Sequence, residues 1–397
     1  MISIQKFFST VIFICGIAAC SNENDPVADK ANFVRIYDNN NFNTSYSPLD
    51  LRQTPDGGFL ILGSRRIENS NFSGIYILKV NEFGEFVNEI EVESDHVSPA
   101  PQLLESAGSY YFFCMTPVGL QAELIKLDAA GNIEQVSPVG ASYPLAAASD
   151  NANFILLSYD NTNKQSVVSV VNSSGVVSTS KGYTIGAGDE VEGPIIGHFI
   201  RTGRQYPFQV GKTLSGLYFF NGFYNYTFSF VFTNLSQDNP PVIQGQQDDG
   251  GISQATQIDN SKFAIARFNF GDNYFIPNTT LNTSGISSSS DLGGNILPEL
   301  VTNAPVKILK HPLGSKSVLI YGSNTKNNQI GLYIYDQATG QFLGSMYLGF
   351  SNSFEVSGII PTSDNGIAVS GQTYLAGRLP RICLFKISEA ELLKSIQ

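Results

Sequence analysis

Leu51-Arg-Gln-Thr-Pro-Asp-Gly-Gly-Phe-Leu-Ile-Leu-Gly63, followed by Ile75-Tyr-Ile-Leu-Lys-Val-Asn-Glu-Phe-Gly84, decides the fold. In words it is a strand, a D-G-G turn and an apolar strand ending in Gly. A loop follows, then a strand ending in Lys-x-Asn, and a Gly turn into one more strand. Asp56-Gly57-Gly58 suits a tight hairpin, because Gly takes positive φ without steric cost. Similar units run through residues 103–131, 153–175, 319–340 and 363–386, and weaker ones centre on residues 217–232 and 262–267. Their second strands end at Gly63, Cys114, Ser158, Asn221, Arg267, Gly322 and Gly371, about 51 residues apart on average. That period in a chain of short β-branched and aromatic runs predicts an all-β protein, a β-propeller of seven four-stranded blades. Burial explains the repetition: a single blade hides neither face, whereas blades stacked radially cover one another. A sandwich needs no seven similar units, and a β-helix has a much shorter period.

The last unit stops after residues 382–387 without a fourth strand, while residues 32–38 form a lone strand ahead of the first unit. The N-terminal strand is therefore expected to complete the last blade and close the ring, leaving no unpaired edge. A single helix is expected, at residues 388–396, capped by Ser388 with Leu392, Leu393 and Ile396 on one face.

The 397 residues carry 23 Lys+Arg against 34 Asp+Glu, a net charge of −11. Such an acidic balance excludes a phosphate-backbone partner, so no nucleic acid is expected. With 42% hydrophobic and 14% charged residues the chain is a folded protein rather than a disordered one.

The first residues set the compartment. Lys6 precedes a 13-residue, almost wholly apolar run over residues 7–19. That is short of the ~20 residues a spanning helix needs and fits the core of a signal peptide. Its end, Ile17-Ala18-Ala19-Cys20, resembles the lipobox of bacterial lipoproteins. The resemblance implies cleavage after Ala19 and lipidation of Cys20, with an ordinary secretory signal cleaved after Ala19 or a short N-terminal anchor as the alternatives. It divides the chain into a signal peptide (1–19), a tether (20–31) and one propeller domain (32–397). Each buried acyl CH₂ contributes about 0.8 kcal/mol, so two or three chains hold such a protein on a membrane. The acidic leader Ser21-Asn-Glu-Asn-Asp25 loosely resembles tags that send outer-membrane lipoproteins to the cell surface. The expected location is the outer membrane, lipid-anchored, with cell-surface exposure as one option. Residues 50–137 and 309–387 also resemble the repeats of secreted and lipid-anchored bacterial β-propellers. That motif is structural and carries no catalytic residue across.

Candidate chemistry is sparse. His96 follows Asp95 between strands and has no G-x-S-x-G nucleophile to serve, so it reads as a loop residue. His198 and His311 are isolated, and no H-E-x-x-H spacing exists. Asp189-Glu190-Val-Glu192 and Asp248-Asp249 read as solvated loop carboxylates or Ca²⁺ ligands, but lack the alternating D-x-D-x-D-G spacing. No metal and no cofactor is expected, and no catalytic residue is assigned. Cys114 and Cys383 lie in apolar runs and read as buried free thiols, a disulfide being the alternative. Residues 217–232 stand apart: Asn221-Gly222 reads as a hairpin turn, after which Tyr224, Tyr226, Phe228, Phe230 and Phe232 share a face. That face is either inter-blade core or a binding platform of Tyr224, Tyr226, Phe228 and Phe230, the absence of Trp telling against the latter. The expected function is a non-enzymatic binding or scaffolding protein for a protein or glycan partner. A glycan-processing enzyme and a purely structural envelope protein are the alternatives.

Overall fold

The computed structural model describes residues 29–39, 43–375 and 379–396. Seven sheets form the seven blades of a β-propeller. Six hold four antiparallel strands, in unbroken sequence order in blades 1, 2, 3 and 6, and the fourth holds five. The second strands of blades 1 to 7 are Phe59–Arg66, Ser109–Met115, Asn153–Asp160, Tyr218–Tyr224, Lys262–Asn269, Lys316–Asn324 and Ile367–Leu375. Each contains the residue that the sequence aligns with its counterparts. The expected closure is present: Phe33–Tyr37 pairs antiparallel with Leu379–Ile387, from Phe33↔Lys386 to Tyr37↔Ile382, and completes blade 7.

Two local devices explain the repeated motif. The first is the Lys-x-Asn/Asp-x-x-Gly turn. Asn81 Oδ1 accepts the amides of Phe83 and Glu85, both at 2.9 Å, and Asp128 and Asn172 repeat this in blades 2 and 3. The following Gly84, Gly131 and Gly175 take positive φ, which a side chain would strain. The second device joins the D-G turn to the Lys. Lys79 Nζ, on the third strand of blade 1, reaches back to Asp56 Oδ2 at 2.8 Å, Thr54 Oγ1 at 3.0 Å and the Val80 carbonyl at 3.0 Å. Lys386 meets Asp364 in blade 7 in the same way, at 2.6 Å. Both lysines are buried, so turn and third strand specify each other.

Side chains stitch one blade to the next. Asp50 Oδ2 accepts the Leu103 amide, Gln102 that of Ala147, Gln209 that of Ala255, Asn273 that of Ala304 and Asn324 that of Val356. The Ser363 amide donates to Gln53, joining blade 7 to blade 1. Each such bond nets about 1 kcal/mol. Between the blades lie separate apolar layers, such as that of Leu60, Ile75, Phe112 and Ile125 between blades 1 and 2. Cys114 and Cys383 are buried free thiols. Burial pushes both thiols above their ordinary value.

Three features correct the sequence reading. A helix forms at Asp189–Phe199 (α1), where none is expected. Blade 4 gains a fifth strand, Ile286–Ser288, parallel to Val242–Gln244. The aromatic hairpin turns at Asn225-Tyr226, both at positive φ, while Asn221-Gly222 lies inside Tyr218–Tyr224. The reason is tertiary: Asn221 Nδ2 donates to the carbonyls of Pro207 (2.9 Å) and Ile252 (2.6 Å), which requires it mid-strand. The expected C-terminal helix is present at Glu389–Lys394 (α2), with Ser388 Oγ accepting the Glu391 amide. It buries Leu392 while Leu393 faces solvent. Residues 1–28, on which the expected signal peptide, the lipidation of Cys20 and most of the expected tether fall, lie outside the described residues. No helix among the described residues is long and apolar enough to cross a membrane.

Candidate functional site

The insertion between blades 3 and 4 builds the candidate site. α1 carries Asp189, Glu190 and Glu192 in its first turn, where acidic groups meet the positive end of the helix dipole. Glu192 also pairs with Lys164 at 2.5 Å. Gly193, Pro194 and Gly197 give this segment little helix propensity of its own. Val191, Ile195 and Phe199, four residues apart, hold it by burial against the wall of blades 3 and 4. The acidic cluster therefore starts a helix rather than forming an ion-binding loop.

After α1 the chain crosses toward blade 1, where the Arg201 amide donates to the Asn71 carbonyl at 2.8 Å. It returns through Arg204 and Tyr206. Asp248 receives Arg204 Nη1 at 3.2 Å and the Tyr206 hydroxyl at 2.8 Å, and this pins the far end of the strap. Asp248 is thus an anchor rather than part of a calcium loop.

Under this strap lies a cavity of about 380 Å³. Its walls come from the starts of the inner strands of blades 1, 3 and 7, the ends of second strands, and the strap itself. It sits at the mouth of the central channel. Arg65, Ser98, Gln372 and Glu355 line it from the blades, and Arg201 and Gln205 from the strap. Two polar atoms here are buried without a hydrogen bond, Arg65 Nε and Ser98 Oγ. Arg65 Nη2 is held by the Val92 carbonyl at 3.2 Å and its Nε stands 3.6 Å from Glu91. Gln372 Nε2 donates to Glu355 Oε2 at 2.8 Å and to the Tyr374 hydroxyl at 3.1 Å. A buried polar atom without a hydrogen bond is costly, and Ser98 Oγ, unlike Arg65 Nε with Glu91 beside it, is left without any such neighbour in an ion pair.

The three histidines have different settings. His198 is half-buried under the strap, edge-on to Phe208 at 4.9 Å, and its Nδ1 accepts the Tyr206 amide at 3.1 Å. Desolvation lowers its pKa from 6.5 to about 4. His311 is buried in blade 6 and its Nε2 meets the Asn365 carbonyl at 3.0 Å. His96 departs from the loop reading. Its Nδ1 lies 2.6 Å from Glu123 Oε2, and Cys114 Sγ joins them, each donor atom within 4.8 Å of the others. Cys114 is buried, and burial and then Glu123 hold its thiol well above its ordinary value. This is the reverse of an activated nucleophile, which needs a lowered pKa and access.

The sequence-proposed aromatic platform is not one surface. Phe228 is buried among Tyr206, Phe208 and Phe223, and Phe230 is stacked on Phe219 at 5.0 Å. Tyr224 is half-buried, and Tyr226 is exposed at the turn. The shared face is core because neighbouring blades need apolar filling, and only the hairpin tip reaches solvent.

No protein-family model and no curated protein matches the chain. Solved structures match at the level of fold. YCF48 from Cyanidioschyzon merolae aligns with a TM-score of 0.50 at 10% identity, over 89% of this chain and 98% of that one. Hydrazine synthase from Kuenenia stuttgartiensis aligns at 0.49 and 10%, over 85% and 95%. A Bacteroides caccae protein of unknown function aligns at 0.39 and 14%, over 73% and 94%. At these identities the likeness concerns the propeller alone.

Proposed function

We propose that this chain is a lipid-anchored propeller of the outer membrane that binds a protein or glycan partner without transforming it. The observation that carries the reading is the strapped cavity at the channel mouth, with Ser98 Oγ buried in its wall without a hydrogen bond and Arg65 Nε meeting only Glu91, at 3.6 Å. Concave sites with a few convergent polar groups are where ligands bind. The mixture of hydroxyl, amide, guanidinium and carboxylate groups suits a polyhydroxylated glycan or a polar peptide loop. The Ile17-Ala18-Ala19-Cys20 resemblance supports the anchor.

The test has two parts. The full-length chain is applied to a glycan array, and intact cells are crosslinked and shaved with protease to identify neighbours. Binding to a defined glycan or protein, lost in Arg65→Gln and Ser98→Val, is the expected result. Turnover of the bound glycan would instead favour an enzyme, and recovery of envelope proteins indifferent to both substitutions would favour a purely structural role. Cys20→Ala is expected to release the protein from membranes, and continued sedimentation would defeat the anchor.

A further inference from the structure

We propose that His96, Cys114 and Glu123 form a zinc-type metal site that fixes one wall of the channel-mouth cavity. Cys114 and Glu123 are cross-strand partners in blade 2, so their side chains emerge on the same face. His96 comes from the connection between blades 1 and 2. It is placed by the turn in which its amide donates to the Glu93 carbonyl and by the bridge pairing Val97 with Met115. Three chain segments thus deliver one imidazole, one thiol and one carboxylate to a common point.

The donor set selects the metal class. Thiolate and imidazole suit Zn²⁺, while Ca²⁺ and Mg²⁺ take oxygen ligands. With Zn–N and Zn–O near 2.1 Å and Zn–S near 2.3 Å, tetrahedral ligands stand roughly 3.4–3.6 Å apart. The group spans 2.6 Å between His96 and Glu123 and no more than 4.8 Å overall. Opening the first contact by about 0.8 Å and closing the longest by about 1.2 Å gives the required spacing. Rotamer changes of Glu123 and of the turn residue His96 are enough for that. Binding displaces the Cys114 proton, which leaves to solvent. The bound state then holds a dication, a thiolate, a carboxylate and a neutral imidazole, with no net charge in a half-buried place. Three protein ligands leave a fourth position for water on the solvent side.

The site has a structural consequence. Ser98, whose hydroxyl is one of the unpaired atoms of the cavity, lies two residues after His96. A metal on His96 would hold this connection against blade 2 and so set the position of Ser98. The site itself does not depend on what the cavity binds.

The experiment titrates the purified, reduced full-length chain with Zn²⁺ against a chromophoric chelator, and with Co²⁺ by absorption. One equivalent is expected to bind, with a thiolate-to-cobalt charge-transfer band in the near ultraviolet. Zn²⁺ is expected to raise the unfolding temperature and the hydrogen-exchange protection of residues 93–99. Cys114→Ser should remove the band. His96→Ala and Glu123→Gln sit at partly exposed positions and keep the test alive if Cys114→Ser does not fold. Each should weaken Zn²⁺ by at least tenfold, the lower bound for losing even an outer-sphere partner. Absence of stoichiometric binding, a Co²⁺ spectrum lacking the thiolate band, or affinity unchanged in His96→Ala and Glu123→Gln would overturn the proposal.

Discussion

Asp56→Asn and Lys79→Met probe the bond that links the D-G turn to the third strand. Lys79 is 4% exposed, and its ammonium is held by Asp56, Thr54 and the Val80 carbonyl. Asp56→Asn leaves that cation buried among neutral acceptors, at a cost of about 2–3 kcal/mol. Lys79→Met should cost less, about 1–2 kcal/mol, because the Asp56 side chain is 61% exposed and can hydrate. For Asp56 itself, burial pushes the carboxyl up, but hydrogen bonds from Lys79, Thr54 and the Gly58 amide outweigh it and lower the pKa from 3.8 to about 2. That span is worth at most about 2.4 kcal/mol. Solvent screening of so exposed a carboxylate reduces it to about 1 kcal/mol. A depressed carboxylate stabilises the fold above its unfolded pKa, and the contribution disappears as pH falls through the folded value. The stability gap between wild type and Asp56→Asn should therefore narrow by about 1 kcal/mol from pH 5 to pH 2. Urea midpoints of wild type, both single variants and the double variant measure it, and they give the coupling energy at pH 7. A gap independent of pH, or a coupling below about 0.3 kcal/mol, would refute the linkage between turn and strand.

Other expectations concern the strap, the closure and the aromatic hairpin. His198 takes a proton near pH 6.5 when unfolded but only near pH 4 in place, where desolvation acts without a charged partner. Stability of the strap should therefore fall as pH drops below 6.5, read as faster hydrogen exchange of α1 after correction for intrinsic rates. His198→Asn, which keeps an acceptor for the Tyr206 amide, should flatten that dependence. Arg381 is 4% exposed and donates to Asp38 at 2.9 Å and to the Thr44 carbonyl at 2.9 Å, so Arg381→Met should cost about 1–3 kcal/mol and expose Phe33–Tyr37 to protease. Equal cleavage in wild type would show that this pairing does not guard the closure. Phe230→Ala should cost about 3–5 kcal/mol in urea unfolding, whereas Tyr226→Ala stays within about 0.5. Reversal of that order would restore the platform.

The blades were legible where local chemistry writes them. An Asn or Asp that accepts two amides, a Gly at positive φ and a Lys that answers an Asp all leave fixed spacings. That is why the units around Asp56 and Asp364 stand out and mark both sides of the closure. Positions settled by distant contacts were not legible. Asn221-Gly222 has the composition of a turn, yet its amide serves the Pro207 and Ile252 carbonyls. α1 contains two glycines and a proline, and it is helical because Val191, Ile195 and Phe199 find an apolar wall. His96, Cys114 and Glu123 follow no ligand spacing, because a turn and a strand pair bring them together. The cavity was invisible for the same reason, since its walls come from blades far apart in the chain.

Departures from the repeat gather on the sector that carries the strap. Blade 4 has the extra strand, the linker into it carries α1, and the strap spends its acidic and aromatic residues on anchors: Glu192 on Lys164, Tyr206 and Arg204 on Asp248. At the other junctions the ring is held by side-chain-to-amide stitches and inter-blade layers with no such insertion, whereas here Val191, Ile195, Phe199, Tyr206 and Phe208 of the strap join the layer between blades 3 and 4. Selection for stability alone would favour a short connection here, since ordering each added residue costs about 1–2 kcal/mol of backbone entropy. The same strap places Arg201 and Gln205 over the channel mouth, in a cavity where Ser98 Oγ is buried without a hydrogen bond. Residues that break a repeating design at a cost in stability belong to function more readily than to folding. On that ground the cavity under the strap, rather than the aromatic hairpin beside it, is where a partner should be sought.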